Sequence, residues 1–254
     1  MTRQILFAGL CSLAMWPAHA HGALLAPPLV SGSLLFNRTP PDGVNFFSFG
    51  TFASSGPGGS LGFHSAPSPI PSLQANVSLI SNFYGRSSGT LIYEMQLSGP
   101  ADTVAVLVHA AGSVAGSSIT DDPFAVFALK ATWSLFHANS GQFVVLEEGI
   151  QTPALQGSFS QSFSNTRDLV LKVGDLYRIT MVADAGAAAG SGANAHGFAF
   201  IDPLFTFAPG VGQEFSFLFS EGIGNSAAAL TPEPGTMAMI GVAAWLLGLR
   251  RRRG

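Results

Sequence analysis

Cysteine is nearly absent from this chain: its 254 residues include one, Cys11. That residue lies within the amino-terminal leader, so residues 21–231 hold no thiol. A disulfide scaffold and a cysteine-ligated metal are both excluded there. Charge is sparse too. Asp, Glu, Lys and Arg make up 10% of the chain, and five of its eleven cations, Arg3 and Arg250 to Arg253, sit at the two ends. Between the ends, Arg38, Arg86, Lys130, Arg167, Lys172 and Arg178 face thirteen acids. An acidic body without a basic cluster argues against nucleic acid or anionic lipid as a partner. Tryptophan and tyrosine number three each against 21 phenylalanines, a balance that favours packing over exposed stacking platforms.

Long amphipathic helical patterns are lacking as well; the periodicity present is two. In Ala125 to Leu135, the residues Ala125, Phe127, Leu129, Ala131, Trp133 and Leu135 fall on one face, with Val126, Ala128, Lys130, Thr132 and Ser134 on the other. One apolar and one mostly polar or small face is the requirement of a half-buried antiparallel strand. Tyr177, Ile179, Met181 and Ala183 repeat the pattern, as do Phe215, Phe217 and Phe219. Shorter candidates are 46–52, 73–80, 91–97, 104–109, 142–146, 158–163, 169–173 and 196–201. Turn signals such as Ser98-Gly99-Pro100, Asn139-Ser140-Gly141 and Val173-Gly174-Asp175 separate them. These features predict an all-β fold: a single β-sandwich domain of jelly-roll type over residues 21–231. Residues 54–71, rich in proline and glycine, read as a long loop. Residues 185–195 read as a small-residue loop or a weakly specified strand, and Asp202-Pro203 as a turn after a strand.

The ends carry addresses. Arg3 followed by the apolar stretch Ile5 to Trp16 and by Pro17-Ala18-His19-Ala20 has the layout of a signal peptide over residues 1–20. Ala18 and Ala20 are the small residues a signal peptidase reads. Leu10 before Cys11 is not the small residue a lipoprotein signal requires. At the other end, residues 232–254 run Pro232-Glu233-Pro234, then fourteen apolar or small residues from Thr236 to Leu249, then Arg250, Arg251, Arg252 and Arg253. The two prolines hold Glu233 extended and outside the following helix. As a helix, the apolar run spans about 21 Å, short of a hydrocarbon core of about 30 Å. Snorkelling arginines and local thinning cover the difference. The arginines are the cytoplasmic stop, which leaves the body on the outer side.

This tail resembles the PEP-CTERM sorting signal of Gram-negative bacteria. The resemblance reaches upstream through Tyr177 and its alanine-rich strand, Phe200-Ile201-Asp202-Pro203, and Phe219-Ser220-Glu221-Gly222-Ile223-Gly224-Asn225, covering about residues 175–254. It implies recognition of Pro232, Glu233 and Pro234 by an exosortase, a membrane-embedded cysteine peptidase that acts as a transpeptidase. It implies, further, export past signal peptidase, transient anchoring in the inner membrane, and release at the cell surface or outside the cell. The role it implies is that of a structural envelope or matrix protein accompanying exopolysaccharide.

Catalytic signals in the body are weak. Gly58-Gly59-Ser60-Leu61-Gly62 has the spacing of a hydrolase nucleophile elbow, but that motif needs a strand before it and a helix after it. Pro67, Pro69 and Pro71 rule out a helix there. His64, His109, His137 and His196 show no paired metal-ligand spacing. Asp121-Asp122 and Glu147-Glu148 read as solvated turn carboxylates, not as calcium ligands. A glycosidase needs two carboxylates about 5–10 Å apart across a cleft, and no spacing selects a pair. Of the aromatic platforms a sugar-binding sandwich would use, Trp133 and Tyr177 have core phase, leaving Tyr84 and Tyr93. The expectation is a non-enzymatic protein with no catalytic residue, cofactor or metal. The alternative is a secreted carbohydrate-binding or polysaccharide-degrading protein.

Overall fold

The computed structural model describes residues 25–36, 42–56, 58–80, 83–118, 126–152, 155–190 and 194–225. The expected leader, the sorting tail, Ala125 and Asp121-Asp122 lie outside them. Among the described residues every regular element is a strand: β1 (Leu29–Phe36), β2 (Asp42–Phe46), β3 (Gly50–Gly56), β4 (Gly59–Ala66), β5 (Ser72–Ile80), β6 (Tyr84–Ser98), β7 (Thr103–Ser118), β8 (Val126–His137), β9 (Gln142–Gln151), β10 (Leu155–Gln156), β11 (Phe159–Lys172), β12 (Leu176–Ala188), β13 (Asn194–Phe207) and β14 (Ser216–Phe219). No helix among these residues is long and apolar enough to cross a membrane.

The strands form two antiparallel sheets. One runs β10-β8-β12-β6-β1-β2, with β9 also on β8 and β14 also on β6; the other runs β11-β7-β13-β5-β4-β3. Alternation explains how the sheets meet. On β8 the inward residues Phe127, Leu129, Ala131, Trp133 and Leu135 are buried, as expected from the sequence. On β12 so are Tyr177, Ile179, Met181 and Ala183, and on β7 Val104, Val106, Val108, Ala110 and Val114. These faces close on one hydrophobic core between the layers, a β-sandwich.

Three local expectations are corrected. Residues 54–66 are not a loop: β3 and β4 form a hairpin, with Phe52 opposite Phe63 and Gly56 opposite Gly59, and only residues 67–71 connect it to β5. Gly59 has φ +127°, and a Cβ there would strike the backbone of Ser78 and Leu79, so only glycine fits that turn. Inward Leu61, Phe63 and Ser65 alternate with outward Ser60, Gly62 and His64; an outer face of small residues hides the period-two pattern. Asp202-Pro203 is not a turn but lies inside β13. The pairing of β13 with β5 stops at Ile201, while β7 continues past Pro203, so proline's missing N–H falls where one neighbour has already left. The segments 158–163 and 169–173 are one strand, β11. Being an edge strand, it shows a mostly exposed, polar middle.

The small-residue stretch divides between the ends of β12 and β13, with Ala185 and Ala187 buried. Tyr93 is buried among the core residues, and its hydroxyl has no partner among the described residues. Burial raises its pKa far above the usual phenol value, and burial likewise raises that of Tyr177. Above about pH 10 the unfolded chain gives up phenolic protons that the native state retains, so stability must fall as pH rises. Tyr93→Phe is expected to raise stability by about 1 kcal/mol at neutral pH, by removing an unsatisfied hydroxyl. It should also flatten the alkaline loss by about 1.4 kcal/mol per pH unit. Urea denaturation of both proteins between pH 7 and 11 checks this.

Candidate functional site

The sorting-signal residues Pro232, Glu233, Pro234 and Arg250 to Arg253, and the signal-peptidase residues Ala18 and Ala20, lie outside the described residues. The segment that leads into the tail is described, and it is fastened at three points. The Ser220 hydroxyl, buried, donates to the Ala26 carbonyl (2.7 Å) and accepts from the Glu94 N–H (2.9 Å). The Ser220 N–H donates to the Glu94 carbonyl (3.0 Å). The Glu94 carboxylate accepts from the Ala26 N–H (2.8 Å) and from Arg178 (3.4 Å). Both ends of the body are thereby tied to one point on β6. Beyond it, the Gly224 N–H donates to the Pro67 carbonyl (2.8 Å). The Asn225 carboxamide accepts from the Phe205 N–H (2.9 Å) and donates to its carbonyl (2.6 Å). The run from Phe219 to Asn225, singled out in the sequence only as part of a pattern, is a latch holding the base of the tail.

Glu147 and Glu148 are not turn residues; both lie in β9, which corrects that expectation. Glu148 is buried and accepts from Asn165 (2.9 Å) and Arg167 (3.0 Å) on β11. Glu147 pairs with Lys130, whose hydrogen bond holds its carboxyl below the usual range. Asp184 pairs with Arg86. Asp202 sits with one carboxylate oxygen buried and without a partner among the described residues, and burial raises its pKa against the opposing backbone hydrogen bond of Ala111 and the pull of His109.

The histidines are separate from one another. His64 lies 2.9 Å from the Thr51 hydroxyl, and His109 lies 3.1 Å from that of Thr166 and 3.4 Å from that of Ser164. His137 stands between the Ser140 hydroxyl on Nδ1 (2.8 Å) and the Asp175 carboxylate on Nε2 (2.7 Å), and stacks on Tyr177. That hydroxyl–imidazole–carboxylate series escaped the sequence reading because its members come from two different turns, and no local spacing marks it. It joins the β8–β9 turn to the β11–β12 turn, and neither cavity described below adjoins it. Among the described residues no three His, Cys, Asp or Glu side chains cluster as metal ligands would.

Of the tyrosines, Tyr93 and Tyr177 are buried and Tyr84 is exposed. The larger cavity lies elsewhere, on the outer face of the six-stranded sheet. It is a groove of about 490 Å³ crossing β3, β4, β5, β13 and β7. Two neighbouring cross-strand rows make it. One is Ser117, His196, Ser78 and Ser60; the next is Ala115, Phe198, Asn76, Gly62 and Ala53. Among the described residues no lysine, arginine, aspartate or glutamate lines it. A smaller cavity of about 220 Å³, under the strap at Ala26 and Pro27, holds Glu94 and Arg178, which are already bonded to each other.

Among curated proteins none matches this chain. Two solved structures are similar to it at 10% identity. One, of the infectious bursal disease virus Gt strain, aligns with 91% of this chain and 74% of that one at a TM-score of 0.17. The other, of the Gx strain, aligns with 99% and 70% at 0.15. Neither score reaches that of a shared fold. A family profile, the PEP-CTERM protein-sorting motif, matches residues 230–253. The chain therefore carries a PEP-CTERM sorting motif directly after the latch at Asn225, which implies processing by an exosortase and delivery to the cell surface or the extracellular space.

Proposed function

We propose that this is a structural protein of the envelope or extracellular matrix of a Gram-negative cell, associated with exopolysaccharide, whose sandwich is delivered by exosortase processing of its tail. The observation that carries this reading is the sorting motif at residues 230–253, next to a body fastened through Ser220, Gly224 and Asn225. On this reading the apolar run at 236–249 anchors the precursor in the inner membrane, with the arginines inside and Pro232-Glu233-Pro234 presented outside. A span of about 21 Å suits a temporary anchor better than a permanent one. The leader over residues 1–20 is removed after Ala20.

The jelly-roll form of the sandwich is supported by its pairings. β5 with β13 and β7 with β11 occupy one sheet, and β6 with β12 and β8 with β9 the other. These are the nested pairings of a ribbon folded over at the β8–β9 hairpin. On this reading the sandwich has no catalytic role. One constellation favours catalysis instead, the Ser140–His137–Asp175 series. Turnover of p-nitrophenyl acetate by the purified protein, lost in Ser140→Ala, would overturn the non-catalytic reading.

Mass spectrometry of the surface protein's two ends, with and without the exosortase, tests the delivery. The mature chain is expected to begin at His21 and to lack the 237–254 peptide in cells that have the enzyme. In cells without it that peptide should be retained. Surface protein with an intact 237–254 peptide in cells that have the enzyme would sink the processing mechanism.

A further inference from the structure

The groove on the outer face of the six-stranded sheet has a composition that selects a ligand. Five polar side chains line it: Ser60, Asn76, Ser78, Ser117 and His196. None of the five has a side-chain hydrogen bond among the described residues. Elsewhere on the molecule exposed histidines are engaged, His64 by Thr51 and His109 by Thr166. These hydroxyl, carboxamide and imidazole groups can both donate and accept, and they converge on one concavity. Beside them, Phe198 is half-buried with its ring in the lining, and Gly62 and Ala53 form a notch in the same row. The volume of about 490 Å³ falls within the range of small-molecule sites.

From this geometry we propose that the groove binds a neutral polysaccharide chain. Among the described residues no lysine or arginine lines the groove, which disfavours phosphates, sulfates and uronates, since these would be desolvated without a counter-charge. Among the described residues no carboxylate lines it either, which disfavours cations. A wholly apolar ligand would cover five polar side chains without replacing their water, at a cost for each. A neutral sugar fits all three restrictions: its hydroxyls donate and accept like the lining, and its C–H face lies flat on an aromatic ring. Ala53, Ser60 and Ser117 are exposed along the groove, so a polymer can lie across it. The hydroxyl row crosses four strands, about 14 Å at the usual spacing, the length of a short oligosaccharide. This deepens the matrix reading by naming the partner and the contacting face. It fails independently of that reading, because the mass-spectrometric test of the chain ends makes no use of the groove.

Affinity electrophoresis tests it. The mature protein recovered from cells is run in native gels holding dextran, galactomannan, xyloglucan or, as the anionic control, alginate. Retardation is expected in at least one neutral gel and not in alginate. Phe198→Ala and Asn76→Ala should each weaken it about five- to tenfold. Gly62→Leu should abolish it by filling the groove. A Cβ at Gly62 meets no atom closer than 3.9 Å, so that variant is expected to keep the wild-type melting temperature. Retardation by no neutral polymer, retardation by alginate alone, or a folded Gly62→Leu protein that binds like wild type would each overturn the proposal.

Discussion

Trp133→Ala is expected to cost about 3–5 kcal/mol. Trp133 stands in β8, paired with Met181 on β12 and Glu148 on β9, and is 1% exposed. Its indole meets Phe205, on the opposite sheet, edge-on at 6.2 Å and 87°. It therefore joins the two layers as well as filling the space between them. Alanine would leave a cavity walled by two sheets that cannot collapse without breaking the register of both. The indole N–H is buried without a partner among the described residues, a standing penalty that Trp133→Phe would remove. The phenylalanine variant is thus expected to lose less than half as much as the alanine variant. Chemical denaturation followed by circular dichroism measures both. Equal losses would show that neither a phenyl ring in the space nor removal of the unsatisfied donor recovers stability, and that an aromatic contact with Phe205 is not what Trp133 contributes.

The phase of Trp133 and of Tyr177 was legible in the sequence because large apolar and polar residues alternate cleanly around them. The same contrast marks β5 and the first part of β7, residues 104–109. It fails where one face is made of serine, glycine and alanine. That is why β3 and β4 read as a loop, and why the groove, built from such faces on five strands, gives no local signal. Edge position defeats the pattern differently. β11 is exposed along most of both faces, so its middle, Asn165 to Asp168, reads as a break although Arg167 pairs with Val108 there. Long-range arrangements were beyond reach: Ser140 meets His137 within one turn, but Asp175 comes from another, and strand order is set by packing that no window of residues contains. The sorting tail was readable for the opposite reason. A membrane and a peptidase meet it as a linear segment, so its information is linear.

The abundance of both glycine and phenylalanine, 30 and 21 residues, also has a spatial meaning that periodicity cannot reveal. On the inner face of the eight-stranded sheet, Gly32, Gly89, Ala183 and Ala131 stand side by side on β1, β6, β12 and β8. Over this trench lie stacked rings: Phe52 on Phe46 at 4.3 Å, and Phe46 on Phe63 at 4.6 Å. A Cβ added at Gly32 would enter the Phe46 ring, and one added at Gly89 the Phe63 ring. The same relation recurs at Gly112 with Phe163 and at Gly116 with Phe159 and Phe127. At an unconstrained strand site Gly→Ala would gain about 0.4–1 kcal/mol by restricting the unfolded chain. At Gly89 the sign should reverse, because Phe63 is 1% exposed and packed from the other sheet, with nowhere to move. Gly89→Val should cost about 3 kcal/mol, the upper part of the overpacking range, lowering the melting temperature by about 6–12 °C. Phe63→Leu alone should also destabilise, yet Gly89→Val combined with Phe63→Leu should lose less than the two separately, with a coupling of about 1–3 kcal/mol. Additive losses would show that Gly89 and Phe63 are not a matched pair, and that glycine is needed there for some reason other than the ring above it.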